Sequence, residues 1–174
     1  MTLGSSRAVL VTGGGTGIGA AVARQLTEAG DQVAILGRRA GLLAAVAAST
    51  GAVDVVCDVS DAGQVSAAVS SVVGRFGRLD GLVLNAGVMV PGGVGDLSLA
   101  DWDTLVAVNL TGAFLVARAA LPFLLEARGA VVSVASVAAL AGVRGPLAPP
   151  IGAKAPMTPL PRLRRGTGGA QEGA

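Results

Sequence analysis

The feature that most constrains the fold lies near the start of the chain: Thr12-Gly13-Gly14-Gly15-Thr16-Gly17-Ile18-Gly19, set between an apolar run and an amphipathic one. Ala8-Val9-Leu10-Val11 before it is short and continuously apolar, the pattern of a strand covered on both faces of a parallel sheet. After it, Ala20, Ala21, Val22, Ala23, Leu26 and Ala29 form an apolar stripe, with Arg24, Gln25 and Glu28 on the other side, so a helix begins here. Strand, glycine turn and helix together aim backbone N–H groups and a helix N-terminus at a phosphate. A Cβ in such a turn would obstruct both the tight bend and the close approach of a pyrophosphate. The arrangement predicts a dinucleotide site. The competing reading, a plain glycine loop, gives no reason for the flanking strand and helix.

The rest of the chain repeats the alternation. Gly30 ends the first helix, and Gln32-Val33-Ala34-Ile35-Leu36 reads as a second strand. A Leu/Ala-rich helix follows from about Gly41 to Ser49, closed by Gly51, and Val53 to Cys57 is a third strand. Asp58-Val59-Ser60-Asp61 supplies the N-cap of a helix that runs to about Phe76, with Val65, Ala68, Val69, Val72 and Val73 on its apolar stripe. Leu82-Val83-Leu84 forms a fourth strand ending at Asn85-Ala86-Gly87, and Ala130 to Ala135 a fifth. Between them, a glycine-rich loop (Pro91 to Gly95) leads into a helical region from Ser98 to about Arg128, read as two helices. Ser98-Leu99-Ala100-Asp101 fits a capping box with Asp at its last place, and Pro122 sits where it would kink the second helix. Alternating strands and helices with short turns predict a doubly wound parallel α/β sheet, strand order 3-2-1-4-5, with one domain over residues 1–145. Past Gly145 the texture changes to a Pro-, Gly- and Arg-rich stretch, and residues 146–174 are expected to be irregular.

Composition narrows the chemistry. There is no histidine and a single cysteine, Cys57, so zinc chemistry, His-based triads and an internal disulfide are excluded, and no metal site is expected. Net charge is +2, and the one basic cluster, Arg162, Arg164 and Arg165, has no aromatic companions to stack on bases; no nucleic-acid partner is expected. The apolar run Thr104 to Leu125 is interrupted by Asn109 and Arg118, and the N-terminus lacks the pattern of a signal peptide, so the expectation is a cytoplasmic protein without a membrane partner.

In sequence order these motifs resemble the short-chain dehydrogenase/reductase family over roughly residues 7 to 145. Thr12 to Gly19 is similar to the family's TGxxxGxG turn, which would place Gly13, Gly15, Thr16, Gly17, Ile18 and Gly19 on the cofactor. Asp58, with Val59 beside it, matches the acid after the third strand that meets the adenine, and Asn85-Ala86-Gly87 resembles the NAG motif beside the cofactor. Asn109 and Ser136 stand where the family has its active-site asparagine and catalytic serine, and Lys154 fits the lysine of its YxxxK motif. Each has a plainer reading: Asn85 as a strand-end cap, Asn109 as a buried polar group bonded to backbone, Ser136 as a helix N-cap. What the resemblance implies is an oxidoreductase that transfers hydride between a nicotinamide dinucleotide and a small-molecule carbonyl or alcohol.

An acid at the end of the second strand would bond the ribose 2′-OH of NAD, and an arginine there accepts the 2′-phosphate of NADP. Gly37 occupies that place, followed by Arg38 and Arg39, so NADP is expected ahead of NAD, with Arg38 as the contact. Against the family pattern, Pro150 stands four residues before Lys154 where the resemblance requires tyrosine, and the sequence contains no tyrosine at all. Prolines around Lys154, the Arg-Gly-Ala ending and the want of the family's last strands lead to the expectation of a truncated or frameshifted, catalytically impaired reductase, self-associating through the edge of its fifth strand. The alternatives are a non-catalytic dinucleotide-binding module and a fragment with no stable function.

Overall fold

Ala8–Thr12 (β1) is buried along its whole length and runs at the centre of a parallel sheet, as its unbroken apolar character requires. The computed structural model describes residues 6–91 and 95–136. Around β1 stand Gln32–Gly37 (β2), Val53–Val56 (β3), Gly81–Leu84 (β4) and Ala130–Ser133 (β5), in the order β3-β2-β1-β4-β5. Every pairing is parallel, with Val9 opposite Val33 on one side and Gly81 on the other. The strand order read from the sequence is the one observed.

Alternation of side chains across the pleat divides the core in two. Leu10, Ala34, Leu36, Leu82 and Leu84 face Ala62–Phe76 (α3) and Gly112–Ala127 (α5), burying Val65, Val69, Val72, Val116, Ala120 and Leu124. Val9, Val11, Val33, Ile35 and Val83 face Gly17–Glu28 (α1) and Ala40–Thr50 (α2), which bury Ala23 and Leu43. Gly51 and Gly77 close α2 and α3 in the left-handed conformation, φ 80° and 75°, which L side chains rarely adopt. Asp61 caps α3 by accepting from the Gln64 N–H at 2.9 Å.

The region after the glycine-rich loop differs from the expected pair of helices. Leu99–Val106 (α4) continues through a π-helical turn, Ala107–Thr111, directly into α5, so the backbone stays helical from 99 to 127. The buried positions keep helical spacing across the junction, from Leu105 through Val108 to Gly112 and Val116, so one face stays packed and no break is required. At its start, the Ser98 hydroxyl accepts from the Asp101 N–H (3.1 Å) and donates to the Asp101 carboxylate (2.7 Å), so the acid bonds the capping hydroxyl. Pro122 lies inside α5, which runs on to Ala127. By length and mean hydropathy Leu99–Ala127 would suffice to cross a bilayer, yet Leu105, Val116, Ala120 and Leu124 are fully buried within this fold.

Candidate dinucleotide site

The site forms where β1 and β4 end side by side. Gly13 turns the chain out of β1 with φ 67°, and Gly17 starts α1 with φ 53°, both outside the range of ordinary side chains. Gly19, on the first turn of α1, is packed directly under Gly13: a Cβ there would stand 2.3 Å from the Gly13 carbonyl oxygen and 2.6 Å from Asn85 Nδ2. Gly14 is just as confined, since its Cβ would meet Ile35 Cβ at 2.5 Å. Thr16 is the N-cap residue of α1 but makes no capping bond, and no acid occupies the first turn, so the helix presents its N-terminal amides without a side chain of its own across them.

A knot of hydrogen bonds joins this turn to the end of β4. The Thr12 hydroxyl donates to the Val83 carbonyl (3.2 Å) and accepts from the Asn85 and Ala86 N–H groups (3.0 Å each). The Asn85 amide donates to the carbonyls of Thr12 (3.1 Å) and Gly13 (3.3 Å). Asn109, 3% exposed in the π turn, holds the next part of the loop: its Oδ1 accepts from the Val88 N–H (2.8 Å) and its Nδ2 donates to the Val88 carbonyl (3.0 Å). Both ends of that amide are spent on backbone.

Above these residues opens a cavity of about 530 Å³. Gly13, Gly15 and Thr16 form its floor, Asn85, Ala86, Gly87, Val88 and Val108 one wall, and Gly37, Arg38, Arg39, Leu42, Leu43 and Cys57 the other. Arg39 reaches back over the glycine turn and donates to the Thr16 hydroxyl (3.3 Å), while Arg38 pairs with Asp58 at 3.8 Å. The Ser60 hydroxyl and N–H, followed by the Arg38 charge, hold the Asp58 carboxyl below its ordinary range. Burial pushes the Cys57 thiol the other way, to about 11, so it presents a neutral, apolar surface to the cavity.

Among the residues singled out in the sequence, Gly13, Gly15, Thr16, Arg38, Asn85, Ala86 and Gly87 therefore share one cavity wall or floor. Gly17, Ile18 and Gly19 build the turn and helix start beneath it, with Ile18 61% exposed. Val59 is a core residue: it is 6% exposed and meets Gly112 of α5, where a Cβ would lie 2.8 Å from Val59 Cγ2. Ser136 is half-buried after β5, and Lys154 and Pro150 lie outside the described residues. Sequence reasoning missed the role of Thr12 as the centre of the knot and of Leu43 as a cavity wall. The signal for Thr12 was a hydroxyl at the last position of a buried strand, directly before the turn.

The short chain dehydrogenase family model matches residues 7–148 of the chain. A 2-(S)-hydroxypropyl-CoM dehydrogenase of Xanthobacter autotrophicus is 41% identical over 141 residues, covering 78% of this chain and 55% of that protein. The D-threitol dehydrogenase of Mycolicibacterium smegmatis is 42% identical over 139 residues, covering 76% of this chain and 54% of the relative. Among solved structures, a levodione reductase superimposes with a TM-score of 0.80 at 34% identity, over 85% of this chain and 60% of that one. The chain spans about half the length of the curated relatives it matches.

Proposed function

The chain belongs to the short-chain dehydrogenase family, which binds NAD(P), and from that premise we propose that it carries the NADP(H)-binding part of an oxidoreductase acting on a small-molecule carbonyl or alcohol. The observation that carries the reading is that the glycine turn and the two arginines after β2 line the same cavity. The glycine turn and the first amides of α1 receive the pyrophosphate, as their crowded, side-chain-free geometry favours. Asp58 and the neighbouring backbone meet the adenine, and Asn85-Ala86-Gly87 flank the cofactor on the β4 side. Arg38 receives the 2′-phosphate: a guanidinium offers a bidentate, permanently charged partner, and no carboxylate stands at the end of β2 to bind a free ribose hydroxyl instead.

A bound nicotinamide would supply the hydride chemistry; the chain itself must give a proton to the carbonyl oxygen in reduction and take one from the alcohol in oxidation. In this sequence that duty has no evident holder. Tyrosine is absent, and the Asn109 side chain is committed to Val88. Ser136 offers a hydroxyl, a far weaker acid than a phenol, with Lys154 as the remaining cation of the family motif. Turnover is accordingly impaired, and the same absence supports a second reading, a dinucleotide-binding module without catalysis. The same reading includes residence in the cytoplasm and self-association along the side of β5 that faces away from β4; among the described residues β5 pairs with β4 alone.

Titration calorimetry of NADPH and NADH into the wild-type chain and Arg38→Ala tests the cofactor assignment. NADPH should bind more tightly by about 1.5–3 kcal/mol, the increment of a charge-assisted contact, and Arg38→Ala should remove most of it. Equal affinities in the wild type would remove the assignment.

A further inference from the structure

Arg38 already has a partner at the end of β2. Its Nη1 lies 3.8 Å from Asp58 Oδ2, beyond hydrogen-bond range, so the carboxylate attracts the guanidinium without fixing its direction. The other carboxylate oxygen is tied down: Oδ1 accepts from the Ser60 N–H (3.0 Å) and from the Ser60 hydroxyl (2.7 Å). Asp58 is therefore anchored on the β3–α3 connection whether or not Arg38 is present, and it turns Oδ2 toward the arginine. The arginine side chain is 57% exposed and the aspartate 31%, so of the two Arg38 is the freer to move. The β2–β3 register, with Gly37 opposite Val56, brings the two residues together. Arg39, by contrast, donates to the neutral hydroxyl of Thr16.

Resting on the NADP reading above, we infer that Asp58 sets how strongly the site prefers a 2′-phosphate, by competing with that phosphate for Arg38. An anchored carboxylate is an internal stand-in for the anion. Any phosphate that draws Arg38 toward itself must weaken the pair with Asp58, and a ribose hydroxyl makes no such demand. The carboxylate thus lowers the discrimination that Arg38 creates, and the position after β3 is a specificity-determining one.

Adenosine 2′,5′-bisphosphate and 5′-AMP serve as probes, because they differ only in the 2′-phosphate and any contact of Asp58 with adenine cancels in their ratio. Their dissociation constants are measured by calorimetry for the wild type, Asp58→Asn, Arg38→Ala and the double variant, with thermal melts as a check on folding. Asparagine keeps the size of aspartate, and its Oδ1 still accepts both Ser60 bonds. Asp58→Asn should raise the preference for the bisphosphate about three- to tenfold, and the increase should vanish in the Arg38→Ala background. A preference unchanged or lowered by Asp58→Asn, while Arg38→Ala still lowers it, overturns the inference and leaves the NADP reading standing. An increase that survives undiminished without Arg38 also overturns it. If Arg38→Ala leaves the preference unchanged, both the inference and the NADP reading fall.

Discussion

Asn85 donates twice to Thr12, through its backbone N–H to the hydroxyl (3.0 Å) and through its side-chain amide to the carbonyl (3.1 Å). Two strands that are neighbours in the sheet but far apart in sequence are thereby locked at the end where the cavity opens. The hydroxyl of Thr12 also accepts from Ala86 and donates to Val83, so one buried oxygen fixes three backbone groups. Thr12→Val keeps the shape and removes that oxygen, leaving the half-buried N–H groups of Asn85 and Ala86 without it. We expect a loss of about 2–3 kcal/mol in urea denaturation, and Thr12→Ser should recover most of it. A valine variant as stable as wild type would mean that water takes over the bonds.

Gly19 offers a sharper test of the turn. Its Cβ would collide with the Gly13 carbonyl and the Asn85 amide, neither of which can swing aside without disturbing the knot. Gly19→Ala should therefore cost about 1–3 kcal/mol of stability and weaken dinucleotide binding by about tenfold or more. Gly41→Ala is the control. That glycine lies in α2, and a methyl group added to it would meet no neighbouring element within 4 Å, so alanine there should be neutral or stabilising by about 0.5–1 kcal/mol. Binding of NADPH unaffected by Gly19→Ala would detach the turn from the cofactor.

Cys57 makes stability sensitive to alkaline pH. Its thiol is raised from 9.0 to about 11 in the folded chain, so above pH 9 the unfolded chain ionises first and gains the advantage. The contribution is fully present below pH 9 and is lost as pH rises toward 11, by about 2–3 kcal/mol in all. Denaturation followed from pH 8 to about 11 should show this extra loss in wild type and not in Cys57→Ala, whose baseline stability is lower but whose slope is shallower. The raised thiol should also react slowly with iodoacetamide at about pH 8 until urea is added, because little of it is thiolate in the folded chain.

How much of this was legible in the sequence depends on the kind of signal. Parallel strands covered on both faces must be continuously apolar, and β1, β2 and β4 could be placed almost to the residue for that reason. Gly51 and Asp61 end and begin helices through their own local chemistry, so they too were readable. The helical span up to about Arg128 was readable too, but its continuity from Leu99 to Ala127 was not. A π turn is defined by backbone bonding that no residue type announces. Likewise the glycine turn, Asn85 and Arg38 could be named as candidates, and they line one cavity, but the Arg38–Asp58 pair depends on the β2–β3 register. The commitment of Asn109 to Val88 arises only when the π turn before α5 packs beside the loop after β4.

The chemistry itself is tested by the absent phenol. NADPH oxidation with a panel of aldehydes and ketones, followed by the cofactor's absorbance, should run no faster than the blank. General acid catalysis is worth about 10²–10⁴-fold, and no tyrosine exists anywhere in the sequence to provide it. Ser136 is the hydroxyl that stands at the family motif's serine position after β5, and its unactivated O–H ionises too reluctantly to replace a phenol. Binding should persist where turnover does not, because the glycine turn, the Thr12–Asn85 knot and the arginines owe nothing to the missing group. Tight NADPH binding without turnover would favour the non-catalytic module. Turnover that survives Ser136→Ala would point to a bound water as the donor, and turnover that Ser136→Ala abolishes would make the serine the acid.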